Sequence, residues 1–220
     1  MKISTLLCMA LLAVTFNTHA VADYRYRTAS FEVTITNLSK SSALTPIMVA
    51  AHHSKVKIFE LGKQPSEALV VLAETGNSSN LTAAYNGQND QVVLTSGQLR
   101  AGESVTLKFD NIAKNSRFSL ASMVLPTNDA FIAVQSVRLP SWKQQRTIRL
   151  TAYDAGSETN DESCNNIPGP TCGGAALSPN DTGEGYVYVH SGIHGIADLS
   201  ASQYTWQNPI AIVTIKRITR

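Results

Sequence analysis

Short segments in which apolar and polar residues alternate constrain the fold of this chain more than any other feature. In residues 30–37, Ser-Phe-Glu-Val-Thr-Ile-Thr-Asn, the alternation has the two-residue period of a strand with one buried face. Similar short segments, rich in β-branched residues, follow at 91–95, 104–109, 117–124, 131–137, 146–152, 185–190 and 211–218. Turn sequences such as Asn86-Gly87 separate them, and no regular series of helices intervenes. This pattern predicts an all-β fold, either a sandwich or a barrel.

One segment departs from the strand pattern and predicts a short helix. Residues 66–74 follow Pro65 and end before Gly76, which is the usual placement of proline and glycine around a helix. Further along the chain, residues 157–181 are rich in Gly, Pro, Ser, Asn and Asp and predict a long surface loop. Long loops within compact domains are commonly functional or disordered.

The first residues of the chain have the three parts of a secretory signal peptide. Lys2 precedes an apolar core at residues 6–16, and Ala20-Val21-Ala22 lie directly before Asp23. We expect cleavage after Ala22, with Ala20 as the second choice. The apolar core is shorter than the roughly 20 residues that span a membrane, and Cys8 lies too early to be a lipidated cysteine. We therefore expect an exported protein, periplasmic or secreted, with no transmembrane segment in its mature part.

Length and charge indicate one domain with no nucleic-acid surface. After a signal peptide at 1–22, residues 23–220 have the size of a single large β domain with a sufficient hydrophobic core. The formal net charge is +2, and the basic residues are scattered rather than clustered. Clustered Lys and Arg with interleaved aromatic residues would be typical of nucleic-acid binding.

The mature chain has two cysteines, Cys164 and Cys172, within the predicted long loop. An exported protein meets oxidising conditions, so this pair favours a local disulfide that pins a Pro/Gly-rich segment. A zinc site would need further Cys or His residues at ligand spacing, and the histidines are scattered.

Two acidic turns could supply oxygen ligands for a cation. Residues 126–129, Pro-Thr-Asn-Asp, precede an apolar strand, and residues 153–158, Tyr-Asp-Ala-Gly-Ser-Glu, follow another. Calcium takes six to eight oxygens from carboxylates, carbonyls and water. Adjacent strands can bring such loops together at one end of a sandwich. Acidic turn residues also commonly stay solvated or cap their own backbone, so spacing alone leaves both interpretations open.

Five segments, taken in order, resemble the spondin N-terminal domain of secreted animal matrix proteins and exported bacterial proteins. They are PIMVAAHHS at 46–54, ALVVLAETG at 68–76, PTNDAFIAV at 126–134, YDAGSE at 153–158 and PIAIVTI at 209–215. The resemblance extends over roughly residues 31–218. It implies an antiparallel β-sandwich with a calcium ion at one end, near the long loop.

The resemblance also implies which residues would bind calcium. The family's ligand positions are matched here by Asp129, Asp154 and Glu158. The third position differs, because the animal domain has Asp where this chain has Glu158, whose extra methylene moves the carboxylate outward. Asp161 and Glu162 lie close in sequence and could substitute or add charge.

The histidines offer a competing hypothesis. His190 and His194 are four residues apart, and His52 or His53 could complete a three-histidine zinc site with an open water position. The alternative is that these imidazoles hydrogen-bond to loop backbone. A Ser-His-Asp triad is not visible as a sequence motif, and the chain has no Gly-x-Ser-x-Gly.

Together these observations predict a non-catalytic, calcium-binding module for extracellular or periplasmic recognition or adhesion. Its end loops would face a protein, a glycan or a lipid surface that the sequence does not identify. The alternatives are a zinc-dependent hydrolase that uses the loop of His190 and His194, and a structural exported protein without metal.

Overall fold

The computed structural model describes residues 28–53, 55–178 and 183–218. The predicted signal peptide, 1–22, lies outside these ranges. Within them the chain forms eleven strands and three short helices. In chain order they are β1 (Thr28–Asn37), β2 (Ala43–Leu44), β3 (Met48–His52), α1 (Glu67–Thr75), α2 (Ser79–Ala84), β4 (Gln91–Leu94), β5 (Ser104–Ala113), β6 (Arg117–Leu125), β7 (Ala130–Arg138), β8 (Gln145–Leu150), β9 (Ala152–Asp154), β10 (Tyr188–Val189), α3 (Ala201–Tyr204) and β11 (Ala211–Arg217).

The strands form two antiparallel sheets, which confirms the predicted all-β sandwich. One sheet has the order β5-β1-β11-β8, and the other has the order β10-β9-β7-β6-β3-β4 with β2 paired to β6. Side chains from the facing surfaces of the two sheets form the main core, including Phe31, Ile35, Phe118, Ile132 and Val213. On β1 the buried and half-buried positions alternate strictly, as its sequence predicts.

The larger sheet is covered on both faces. Helix α1 packs its buried Leu69 and Leu72 against the face that points away from the other sheet, where Met48 and Phe131 lie. The predicted helix is confirmed, and its ends have a simple cause. Ser66 Oγ accepts the Leu69 N–H at 3.3 Å, and Gly76 adopts a left-handed φ of 72°.

Three details differ from the sequence prediction. The segment 146–152 divides between β8 and β9, which belong to different sheets, so the chain crosses the sandwich at Thr151. The segment 185–190 pairs over only Tyr188–Val189. The helices α2 and α3 add to the one predicted helix. Both are short, six and four residues, and such lengths have almost no amphipathic signature.

The candidate residues lie at one or the other of the two ends of the sandwich. The turn after β6 and the last residue of β9 lie at what we call the upper end, where Ala130 pairs with Asp154. The lower end holds the start of β6, where Arg117 pairs with Arg138. Strand β1 begins and β11 finishes at the lower end, where the Ile218 N–H donates to the Ser30 carbonyl at 2.9 Å.

None of the helices in the described ranges is long and apolar enough to cross a membrane.

Candidate functional site

The structure brings two of the three predicted ligands into contact at the upper end. Asp129 directly precedes β7, and Asp154 is the last residue of β9, which pairs with β7. Strand pairing therefore places the two residues one register step apart at the same end of the sheet. Their carboxyl groups are in direct contact, and both residues are fully buried.

The turn after β9 wraps around the Asp129 carboxylate. Asp129 Oδ2 accepts hydrogen bonds from the Ser157 N–H at 2.7 Å, the Ser157 hydroxyl at 3.2 Å and the Glu158 N–H at 3.1 Å. The second oxygen, Oδ1, is equally buried but accepts no hydrogen bond from any described residue. A buried acceptor of this kind normally has a partner, so Oδ1 is the atom at which a ligand is expected.

Asp154 is held by its own turn and by neighbouring side chains. Its Oδ1 accepts the Gly156 N–H at 2.8 Å, and its Oδ2 accepts the Asn160 amide at 2.6 Å. The same Asn160 amide donates to the Tyr188 hydroxyl at 3.0 Å. These contacts fix the orientation of Asp154 toward Asp129.

Two buried carboxyl groups in contact cannot both carry a charge at low cost. Burial, and next the charge of Asp154, raise the pKa of Asp129 above its usual range, against the hydrogen bonds that it accepts. Burial also raises the pKa of Asp154. Burial and the negative charges nearby, at Asp154 and Glu184, raise the pKa of Tyr188 as well. The raised pKa values of these three groups mean that negative charge is costly at the upper end.

Gly156 lets the turn approach residues 185–186, which precede β10, closely. It has a φ of +67°, and a Cβ at this position would lie 2.2 Å from the Tyr186 carbonyl oxygen. Its own carbonyl accepts the Gly185 N–H at 2.8 Å. A side chain would push the turn away from residues 185–186, so the sequence Asp-Ala-Gly is a geometric requirement here.

Glu158 lies on the same turn and is 1% exposed. Its backbone N–H donates to Asp129 Oδ2 at 3.1 Å, which places its backbone beside the aspartate pair. Across the described ranges, however, no three His, Cys, Asp or Glu side chains are arranged as a set that could hold a metal ion. The structure thus shows an aspartate pair with a buried glutamate on the adjoining turn, rather than a three-carboxylate cage.

Asp161 and Glu162 have other partners. Asp161 Oδ1 accepts the Asn128 amide at 3.0 Å. The Glu162 carboxylate accepts three consecutive backbone N–H groups, those of His194 at 2.6 Å, Gly195 at 2.7 Å and Ile196 at 3.0 Å. Both residues therefore tie the long loop to the upper end, and neither faces the aspartate pair through these bonds.

The histidines divide between the two ends. His52 pairs with Arg117 at the lower end, about 25 Å from Asp129 given a rise of about 3.3 Å per strand residue. There its Nε2 hydrogen-bonds the Ser119 hydroxyl at 2.8 Å, and His53 Nε2 bonds Asn115 at 2.8 Å. The three-histidine zinc site is therefore wrong, because His52 and His53 cannot reach His190.

His190 instead belongs to the surroundings of the aspartate pair. Its Nδ1 accepts the Gly192 N–H at 2.9 Å, so the neutral ring carries its proton on Nε2, 3.7 Å from Asp154 Oδ2. Burial, and to a lesser degree the charge of His194, lower the pKa of His190 to about 4. His190 is consequently neutral near pH 7, and its contact with Asp154 is not an ion pair.

The predicted disulfide between Cys164 and Cys172 is confirmed. The two cysteines pack against a small separate cluster of Ile167, Ile193 and Leu199. This cluster gives the long loop a core of its own beside the upper end.

Sequence reasoning missed Asn160, Tyr188 and His190 as neighbours of Asp154. Asn160 and Tyr188 had no motif to mark them, because their roles depend on strand β10 returning beside β9. The sequence drew attention to His190 only through its spacing from His194. Among the described residues, the two histidines do not form a shared metal site.

The donor set at the upper end fits a hard cation in chemical type. The described atoms are carboxylate oxygens, one of them without a hydrogen bond, and such oxygens suit calcium rather than a soft metal.

Comparison with known families gives a match between residues 35–167 and the family described as Spondin_N. This range includes Asp129, Asp154 and Glu158 and covers more than half of the chain. Comparison with curated proteins gives no significant match.

Proposed function

This chain belongs to the spondin N-terminal domain family, and we propose that it is an exported, non-catalytic recognition module whose upper end is ordered by a calcium ion. Family membership and the disulfide support an extracellular setting. The observation that carries the calcium part of the proposal is the buried pair of Asp129 and Asp154, in which no N–H or hydroxyl group of the described residues donates to Asp129 Oδ1.

The physical reason is electrostatic. In the absence of a cation, the two aspartates avoid repulsion only by holding a proton between them, which the raised pKa of Asp129 expresses. A divalent cation would compensate both charges at once. Asp129 and Asp154 would hold it, Glu158 is the third candidate, and carbonyl or water oxygens would complete the shell that calcium requires.

The expected result of binding is an ordered upper end. Asp129 already holds the turn through Ser157 and Glu158, and charge compensation would stabilise that turn against the long loop. A recognition module needs such loops in a fixed arrangement, facing a partner protein, glycan or lipid surface.

The test is thermal unfolding of the mature protein with excess chelator and with calcium. We expect calcium to raise the melting temperature, since a ligand at a hundredfold its Kd adds about 2.7 kcal/mol to the free energy of unfolding. The variant Asp129→Asn should lose the response to calcium, because it removes one of the two carboxylates that would hold the ion.

A matched control is Asp110→Asn, which changes an exposed aspartate on β5 and should keep the parent's calcium response. Equal melting temperatures for the parent protein with calcium and with chelator would refute the calcium proposal.

A further inference from the structure

A groove of about 550 Å³ lies between helix α1 and the turn that joins Asp154 to Glu158. Val70 and Val71 of α1 form one wall, and Gly156 and Ser157 form the opposite wall. The half-exposed side chain of Leu177 closes one side. The volume falls within the range of sites that bind small ligands or single side chains.

The groove combines an apolar wall with acidic groups. Glu67 and Glu74 line it one above the other on α1, seven residues apart, and no basic side chain lines it among the described residues. Glu74 is 3% exposed, and its Oε2 accepts the Ser178 N–H at 3.2 Å. A buried carboxylate with one neutral donor gains strongly from a cationic partner.

The lining also argues against other ligand classes. None of the described residues that line it is aromatic, whereas a flat aromatic face is what a sugar would stack on. Phosphate and other anionic headgroups would meet the charges of Glu67 and Glu74 and be repelled. The lining chemistry favours a ligand with a cationic head and an apolar body.

We propose that this groove binds an extended segment of a partner protein, with a Lys or Arg side chain at Glu67 and Glu74 and an adjacent apolar side chain against Val70, Val71 and Leu177. The proposal rests on the recognition part of the proposed function and specifies the partner's chemistry. The groove is present without calcium. A calcium ion at the upper end would order the turn of Gly156 and Ser157, which lines the groove.

The experiment measures binding of three capped tetrapeptides, Gly-Leu-X-Gly, with X as Lys, norleucine or Glu. Isothermal titration calorimetry gives the affinities, and methyl chemical shifts of Val70 and Val71 locate the contact. We expect the Lys peptide to bind best and the Glu peptide worst. Glu67→Gln should weaken the Lys peptide by about two- to fivefold, the range of exposed charge pairs, and Glu74→Gln should weaken it more, because Glu74 is buried. Neither variant should weaken the norleucine peptide.

The control variant is Glu60→Gln, which neutralises an exposed carboxylate paired with Lys57 outside the groove and should leave all three affinities unchanged. The proposal is overturned if the three peptides bind equally, if none binds, or if the shifts occur away from Val70 and Val71.

The calcium response, measured separately without peptide, keeps the two proposals distinguishable. A calcium response without charge-selective peptide binding overturns the groove alone. Peptide binding of the expected order without a calcium response supports the groove and refutes the calcium site.

Discussion

Single residues at the upper end are constrained by backbone geometry as much as by charge. Gly156 and Gly62 share nearly the same left-handed φ, +67° and +72°, but differ in surroundings. A Cβ at Gly156 would lie 2.2 Å from the Tyr186 carbonyl oxygen, whereas a Cβ at Gly62 would meet no atom of the described residues within 4 Å. Alanine variants of these two glycines therefore separate two contributions to the free energy of unfolding: the left-handed dihedral angle, which both share, and the steric overlap with Tyr186, which only Gly156 would have.

We expect Gly62→Ala to lower the free energy of unfolding by about 1 kcal/mol, the usual cost of a left-handed residue with a Cβ. Gly156→Ala should lower it by about 3 to 5 kcal/mol, because the turn must also move away from Tyr186. Urea unfolding of both variants measures the difference. Equal losses would show that the close approach to Tyr186 contributes nothing.

The aspartate pair could be anticipated from sequence, while its surroundings could not. Asp129 and Asp154 each adjoin a segment with a clear strand pattern, and pairing of those strands brings the two residues to the same end of the sheet. Glu162 shows the opposite case. Its three backbone partners lie more than thirty residues away in an irregular segment, and no periodicity marks such a contact.

At the scale of elements, two contacts hold the long loop in place. The Glu162 carboxylate accepts the N–H groups of residues 194–196 and ties the loop to that later segment. The bond between Cys164 and Cys172 acts within the loop, where it closes a sequence separation of eight.

We expect Glu162→Ala to lower the free energy of unfolding by about 1 to 3 kcal/mol, because the N–H donors lose their acceptor. Glu162→Gln keeps one acceptor oxygen and should lose less. Hydrogen exchange locates the effect, with faster exchange at His194, Gly195 and Ile196 in the Ala variant. Unchanged exchange at these amides would contradict the assigned role.

Removing the disulfide should also act locally. Replacing Cys164 and Cys172 by Ser releases a short loop, for which the chain-entropy estimate is about 2 to 3 kcal/mol. We expect faster hydrogen exchange in residues 164–175 and unchanged exchange in β1 and β11. Faster exchange throughout the four-stranded sheet would mean that the loop supports the whole sandwich.

At the scale of the whole molecule, the larger sheet lies between two layers, the other sheet and α1. This arrangement explains why the alternation of apolar and polar residues predicts some strands and not others. Strand β1 has a half-buried outer face and alternates clearly, whereas all five residues of β3 are buried and show no alternation. The sequence pattern therefore does not predict β3 as a strand, although residues 46–54 resemble a segment of the spondin N-terminal domain.

The same layering makes α1 part of the cooperative unit. We expect Leu72→Ala, at a fully buried position, to lower the free energy of unfolding by about 2 to 5 kcal/mol in a single transition. The half-buried Val71→Ala should cost much less. Calorimetry and far-UV circular dichroism should give coincident transitions for both variants. Separate transitions for Leu72→Ala would mean that α1 detaches while the sandwich remains folded.

The direction of the first and last strands has a consequence for how such a module is displayed. The chain enters β1 and leaves β11 side by side at the lower end, whereas the aspartate pair and the groove lie at or near the upper end. Residues 28 and 218 therefore lie at the pole opposite the aspartate pair. We expect immobilisation through a tag at either chain end to leave the aspartate pair and the groove facing away from the support, so this is the orientation to choose for binding assays.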